Sequence, residues 1–331
     1  MLPSAFGVFY DLRNPAPWRE PWDVRYRKIL EQVDWVESQL AFGAVSVSEH
    51  HFVDDGYTPS VLAICAAIAS RTSRVRIATN ILQLPLHHPL RVAEDCLTID
   101  AISGGRFRLG VAVGYREDEF AAFGTTTKDR ASRMDESLAI LRGAFAGRPV
   151  RHASRHWRFP ELTVTPGPVR AGGPEIWVGG GSPIAMRRAA RFADGFIAAA
   201  VNKQVGQAFH QTCAAVTPGQ PRKPVMGTAW LLVAEDPEKE TARLGDHMLY
   251  QVNQYIRYGF LNAAPYTDPR RLIEDGFYTV TDADGARRIL RDAASGGVDE
   301  VHFFGVLPGE DVDAATERLR YLATNVLDHP G

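Results

Sequence analysis

The sequence predicts an α/β protein folded as a (β/α)8 TIM barrel, and three observations carry that prediction. Apolar runs of strand length alternate with helical stretches almost to the C-terminus, the pattern of parallel strands joined by crossover helices. Eight such strands can be counted, each with a helical partner, as a closed barrel requires. No Gly-rich dinucleotide turn follows the first strand, which favours the barrel over an open doubly wound sheet. The 331 residues, 45% hydrophobic and 23% charged, supply a large core. The chain therefore reads as one domain over 1–331, with insertions at about 148–173 and 237–278.

Taken in order, "SAFGVFY" (4–10) is a buried strand. The helix after it spans about 25–42, with Ile29, Leu30, Val33, Val36 and Leu40 at helical spacing and Gly43 as its stop. "AVSVSEH" is the second strand. "PSVLAICAAIASRTS" is the second helix, with Pro59 suited to its first turn. "VRIATNILQL" and "HPLRVAEDCLTIDAIS" form the third pair, and "RFRLGVAVG" with a helix over about 131–146 the fourth. Residues 148–173 interrupt the alternation with Pro, Gly and Arg and hold an extended segment at "HWRFPELTV". "EIWVGGG", "DGFIAAAV", "PVMGTAWLLVA" and "DEVHFFGV" complete the strands. Between the last two, 237–278 offers a helix near "KETARLGDHMLYQVNQYIRYG", and Thr281 or Asp282 caps the helix that follows.

The formal charge of −2 gives no global attraction for nucleic acid or an anionic membrane, so a small molecule is the expected partner. Cys65, Cys96 and Cys213 lie far apart in apolar, helical contexts and read as buried free thiols. No window approaches a membrane span and the N-terminus lacks a signal-peptide pattern, which predicts a soluble, cytoplasmic protein.

In a barrel the chemistry sits on loops leaving the C-terminal strand ends. Glu49, His50 and His51 fall at the end of the second strand. Adjacent strand residues point to opposite faces, so one histidine can face the interior while the other packs outward, and joint binding of one metal is not expected. The alternative is that both only cap a loop. His87 and His88 follow the third strand, and His88 precedes Pro89 near a helix N-terminus, where bonding to the backbone is its simplest role. With no HxH or HExxH spacing, no metal site is assigned. "WVGGGSPIAMRRAARFADG" places glycines, Ser182 and Pro183 between a strand end and a helix, an arrangement that suits a phosphate and equally describes a tight turn. Gly110 and Gly114, in and after the fourth strand, suit either a flat group passing close by or tight internal packing.

Together, "SEHHF", "AAIASRTSRVRIATNILQLPLHHPLRVAEDCLTIDAISGGRFRLGVAVGYREDEFAAFG" and "WVGGGSPIAMRRAARFADGF" resemble the bacterial luciferase-like family of flavin-dependent monooxygenases and oxidoreductases. The resemblance covers nearly the whole chain and is most specific over about 45–145. It implies the barrel fold and assigns His50 as the catalytic histidine near the reactive edge of the flavin. It places Asn80 and Ile81 where luciferase has a non-proline cis peptide beneath the isoalloxazine ring. Gly180, Gly181 and Ser182 match positions at the flavin phosphate, and Gly114 and Tyr115 fall in a loop that flanks it. The phosphate-gripping arginine of luciferase aligns with Val113 and its cysteine near the flavin with Ala112, so Arg116 or a backbone nest is the expected substitute and light emission is not implied.

The resemblance further implies a two-component monooxygenase: FMN, reduced by a separate flavin reductase, reacts with O2 to a C4a-(hydro)peroxide that oxidises a small organic substrate. His50 would serve as general acid or base, and a homodimer is the family's common state. The alternatives are an F420-dependent hydride-transfer oxidoreductase, a non-catalytic flavin-binding protein, and a metal-dependent hydrolase resting on the histidine pairs. Both insertions are lid candidates, and Trp157, Phe159, Tyr250, Tyr255, Tyr258 and Phe260 are candidate substrate walls.

Overall fold

The computed structural model describes residues 1–327. Eight parallel strands close on themselves: β1 (Ala5–Tyr10), β2 (Ala44–Val47), β3 (Arg76–Thr79), β4 (Phe107–Ala112), β5 (Glu175–Gly180), β6 (Gly195–Ala198), β7 (Val225–Ala229) and β8 (Glu300–Phe304). Each pairs with its sequence neighbours, and β8 returns to β1 with Phe6 opposite Val301 and Val8 opposite Phe303. Burial on both faces explains why these strands read as continuous apolar runs and not as alternating ones. Between β3 and β4 the ladder is completed by a side chain. Thr79 Oγ1 donates to Gly110 O at 2.7 Å and accepts from Gly110 N at 2.8 Å. A Cβ on Gly110 would come within 2.1 Å of Thr79 O, so this glycine serves internal packing.

The outer layer follows the expected order: α1 (Trp22–Ser38), α2 (Val61–Arg71), α3 (Pro89–Ser103), a short α4 (Glu117–Ala122), α5 (Arg130–Phe145), α6 (Pro183–Phe192), α7 (Lys203–Val216), α8 (Pro237–Arg257), α9 (Pro269–Glu274), α10 (Ala283–Ser295) and α11 (Val312–Leu322). Side-chain caps start several of them: Ser182, Asn202, Asp236, Asp282 and Asp311 each accept from an amide in the first turn.

Several boundaries differ from the sequence reading. The first helix stops at Ser38, and Gly43 instead donates to Phe6 O at 2.8 Å as the chain enters β2. Leu40 is consequently exposed, while Ile29, Val33 and Val36 are buried. The third strand breaks at a cis peptide between Asn80 and Ile81; beyond it Leu82–Gln83 pairs with β4, and Leu84, read as the strand's last residue, opens a 3-10 turn. The seventh strand breaks at Trp230, after which Leu231–Val233 pairs with Thr279–Thr281. In 148–173 the expected extended segment is one arm of a hairpin, Val150–Ala153 against Arg158–Leu162. No described helix is long and apolar enough to cross a membrane.

The barrel interior below the C-terminal mouth is filled by Trp177, Ile197 and Met226 and by a buried polar chain. Arg108 pairs with Glu300 at 3.0 Å, Glu300 with His302 at 2.7 Å, and His302 with Ser46 Oγ at 2.7 Å. Above the mouth, α8 and α9 form a second apolar cluster with Phe9, Phe304 and Leu307, so much of 237–278 sits over the strand ends.

Candidate active site

The C-terminal strand ends surround a cavity of about 450 Å³. Of the residues singled out from sequence, His50, Asn80, Ile81, Gly114, Tyr115, Gly180, Gly181 and Ser182 all line it.

His50 and His51 diverge as strand geometry requires. The His50 Nδ1 atom lies 2.9 Å from Glu119 Oε1, and its Nε2 lies 3.1 Å from the Tyr115 hydroxyl. His51 instead faces Glu49, at 3.2 Å from Oε1, and packs edge-to-face on Phe123. Glu119 was not singled out in the sequence. It is fully buried on α4, where its Oε1 also accepts from His51 N at 2.8 Å and Arg116 Nη1 at 3.2 Å. Burial pushes its pKa up, but the hydrogen bond and charge of His50 with the other donors outweigh that and hold it below the ordinary value. An ionised carboxylate only accepts, so His50 Nδ1 carries a proton. In the neutral form of the ring Nε2 presents a lone pair, to which the Tyr115 hydroxyl donates. The signal for Glu119 was present in "YREDEF": three acids in a row after a strand end favour a helix N-terminus and place one inward.

Arg116 does not line the cavity. Its guanidinium binds His51 O, Asp118 and Glu119 and lies 4.6 Å from the centroid of the Tyr258 ring. The expectation that it supplies a phosphate contact is therefore replaced, because these partners commit it to holding the His50 loop. Arg130, at the start of α5, lines the cavity instead and makes no ion pair among the described residues.

The remaining polar groups are placed as follows. Asn80 Nδ2 donates to Thr228 Oγ1 at 2.7 Å. Ser182 Oγ accepts from Ala185 N at 3.2 Å as the cap of α6. Gly114 has φ +72°, and a Cβ there would come within 2.6 Å of Gln83 Oε1. Gln83 is buried on the cavity wall, its NH2 turned to the Glu119 carboxylate and its Oε1 without a partner among the described residues. Of the candidate substrate walls, Tyr255 and Phe260 line the cavity. Tyr250 donates to Asp55, Tyr258 lies under Arg116, and Trp157 and Phe159 pack near His88, so among the described residues nothing from 148–173 reaches it. His88 caps α3, its Nδ1 accepting from Leu90 N at 3.3 Å.

Donor atoms of Glu49, His51 and His87 converge within 4.8 Å, so the structure draws together two of the four histidines, though not the adjacent pair. Burial raises the Glu49 pKa, while the charge and hydrogen bonds of His87 and His51 bring it down to about 2. The three thus form an internally neutralised cluster beside the cavity.

The cavity residues fit a phosphate-bearing flavin or deazaflavin. Arg130 offers an unpaired cation, and the Gly180–Ser182 turn that leads into α6 offers its backbone to a phosphate. Gln83 Oε1 presents an unpaired acceptor to a heterocycle, with Ile81 and Gly179 in contact range of one another on the same wall.

The sequence profile of luciferase-like monooxygenases matches residues 5–302. The 4-hydroxyprotoasukamycin monooxygenase of Streptomyces nodosus subsp. asukaensis is 30% identical over 193 residues, 57% of this chain and 50% of the relative. The chain spans about half the length of the curated relatives it matches first. By fold it is similar to the oxygenating constituent of 3,6-diketocamphane monooxygenase from Pseudomonas putida in complex with FMN. That likeness has TM-score 0.80 and 19% identity, and covers 98% of each chain. An F420-dependent secondary alcohol dehydrogenase is similar at TM-score 0.75 and 16% identity, again over 98% of each chain. With the profile covering the barrel from its first strand into its last, the chain belongs to the luciferase-like monooxygenase family.

Proposed function

We propose that this protein is a monooxygenase that uses reduced FMN and molecular oxygen to oxidise a small organic substrate. The observation that carries this reading is His50: a buried imidazole on the cavity wall whose Nδ1 is held by an ionised carboxylate and whose Nε2 meets the hydroxyl of Tyr115, itself on the wall. Bound FMN, delivered reduced by a separate reductase, would supply the electrons and the position at which oxygen is activated.

The chain's own residues do the rest. Arg130 and the Gly180–Ser182 turn hold the phosphate, and Gln83 Oε1 takes up the ring's polar edge. The Tyr115 hydroxyl passes its proton to His50 Nε2 as it takes one up from the cavity, and recovers it on the way back, with Glu119 stabilising the imidazolium in between, as a carboxylate does behind a catalytic histidine. Tyr115 donates to Nε2 and sets the direction in which that proton moves. The apolar wall, with Phe9, Ile81, Trp230, Phe260 and Phe304, excludes water from the reacting edge.

Titration with reduced FMN, with F420 and with riboflavin tests the reading, followed by mixing the reduced FMN complex with oxygen. FMN should bind and turn over substrate, and His50→Ala should lower the oxidation rate by about 10²–10⁴-fold. Arg130→Ala should weaken FMN by about tenfold and leave riboflavin unchanged, since only FMN carries the phosphate. Tight F420 binding without FMN affinity would replace this reading with hydride transfer.

A further inference from the structure

The wall of the cavity carries three hydroxyl groups joined in one chain. Ser48 Oγ donates to the Tyr57 hydroxyl at 2.7 Å, and the Tyr57 and Tyr255 hydroxyls are 2.8 Å apart. All three residues are buried and line the cavity. Three hydroxyls carry three protons, but the two bonds between them use only two. Whichever way the Tyr57–Tyr255 bond runs, one phenolic proton is left without a protein acceptor among the described residues. Burial raises the pKa of both tyrosines, so at neutral pH the chain is fully protonated and acts towards a ligand as a donor.

A cation stands behind this donor. The Arg13 guanidinium is fully buried, bound to Asp55 through Nε at 2.7 Å, and lies 5.0 Å from the Tyr57 ring centroid and 5.9 Å from that of Tyr255. Its Nη1 and Nη2 atoms have no hydrogen-bond partner among the described residues, and its charge is balanced by Asp55, by Asp11 and by the ring faces.

The surroundings are aromatic. Phe260 lies 5.3 Å from Tyr115 and 5.7 Å from Tyr255, and Trp230 lies 5.6 Å from Tyr255, all centroid to centroid. Ring edges and faces at these spacings favour a flat aromatic guest over a flexible chain of equal area, because stacking adds to burial and little rotamer entropy is lost. A second cavity of about 280 Å³ shares Ala199, Trp230 and Phe260 with the first and gives such a guest room to extend.

From the unassigned proton and the aromatic walls, we infer that the substrate is an aromatic ketone whose carbonyl oxygen accepts from the Ser48–Tyr57–Tyr255 chain. This inference rests on the monooxygenase reading for the reaction but not for the binding geometry.

The test uses the full chain, with and without FMN, and three probes: 9-fluorenone, fluorene and decanal. Fluorenone should bind about tenfold tighter than fluorene, which has the same rings and no acceptor oxygen. The infrared carbonyl band of bound fluorenone should move to lower frequency. Tyr57→Phe and Tyr255→Phe should each weaken both the preference and the shift, since either tyrosine can carry the free proton, and the double variant should abolish both while leaving FMN affinity unchanged. Equal binding of fluorene, an unshifted carbonyl band, tighter binding of decanal, or displacement of fluorenone by FMN would each overturn the inference. The wild-type comparison of fluorenone with fluorene decides even if a variant fails to fold. Failure of FMN to bind at all would sink the monooxygenase reading and leave this comparison intact.

Discussion

Adjacent histidines at a strand end take opposite partners because the backbone turns successive side chains to opposite sides. His50 goes to Glu119 and the cavity, and His51 to Glu49. Glu119 is the residue on which the site's protonation chemistry turns, since it fixes the tautomer of His50. Glu119→Gln preserves shape but can point its NH2 at Nδ1, which drives the proton to Nε2 and removes the base. Single-turnover oxidation should slow by about 10²-fold or more, with FMN affinity unchanged. A rate equal to wild type would show that the carboxylate plays no part. His50 was legible in the sequence because its position after a strand and the "EHH" resemblance coincide. Glu119 was legible only as one of three acids at a helix start; its pairing with His50 was not, because a six-residue helix brings it there across 69 residues. Arg130 escaped for a similar reason: sequence proximity favoured Arg116, and only packing shows that Arg116 is already committed.

At the scale of elements, the strands and most helices could be read from apolar runs and caps, and the errors fall where tertiary contacts override local pattern. The third and seventh strands each read as one run, yet each breaks at the cavity, at Asn80–Ile81 and at Trp230. Nothing in an apolar run marks the residue at which pairing changes partner. The loop after β3 is tied to the loop after β2 by Glu49, whose carboxylate accepts from Gln83 N and lies 2.7 Å from His87 Nε2. Glu49, with its folded pKa near 2, adds stability fully present above its ordinary 4.5 and lost as pH falls towards 2. Burial lowers the His87 pKa, but the Glu49 charge and hydrogen bond raise it above 6.5 on balance. His87 therefore adds stability fully present below 6.5 and lost as pH rises through the raised value. The pair contributes most between about 4.5 and 6.5. Urea unfolding of wild type and His87→Gln should differ by about 1 kcal/mol near pH 5.5, with the gap closing on both sides. A gap constant from pH 4 to 9 would refute the ion pair.

At the scale of the whole molecule, the barrel must be filled at its centre and open at its mouth, and the two needs meet on one polar chain. Arg108, buried at the opposite end from the cavity, pairs with Glu300 and lies 4.0 Å from the Trp177 ring centroid. Burial pushes the Glu300 pKa up, but the charges and hydrogen bonds of Arg108 and His302 hold it well below the usual carboxylate range. His302 passes the contact to Ser46, which lies 3.5 Å from Asn80 Nδ2 on the cavity floor. A buried charge in such a chain is worth little as a net interaction but is costly to orphan. Arg108→Ala strands Glu300 and should destabilise the protein by about 3–5 kcal/mol. Replacing both partners at once, Arg108→Met with Glu300→Leu, removes the stranded charge and should recover most of that loss, apart from what His302 forfeits with its own partner. A double-mutant cycle in urea measures the difference. If the double variant is as unstable as the sum of the singles, the pair is not coupled, and the barrel centre is held by packing around Trp177 alone.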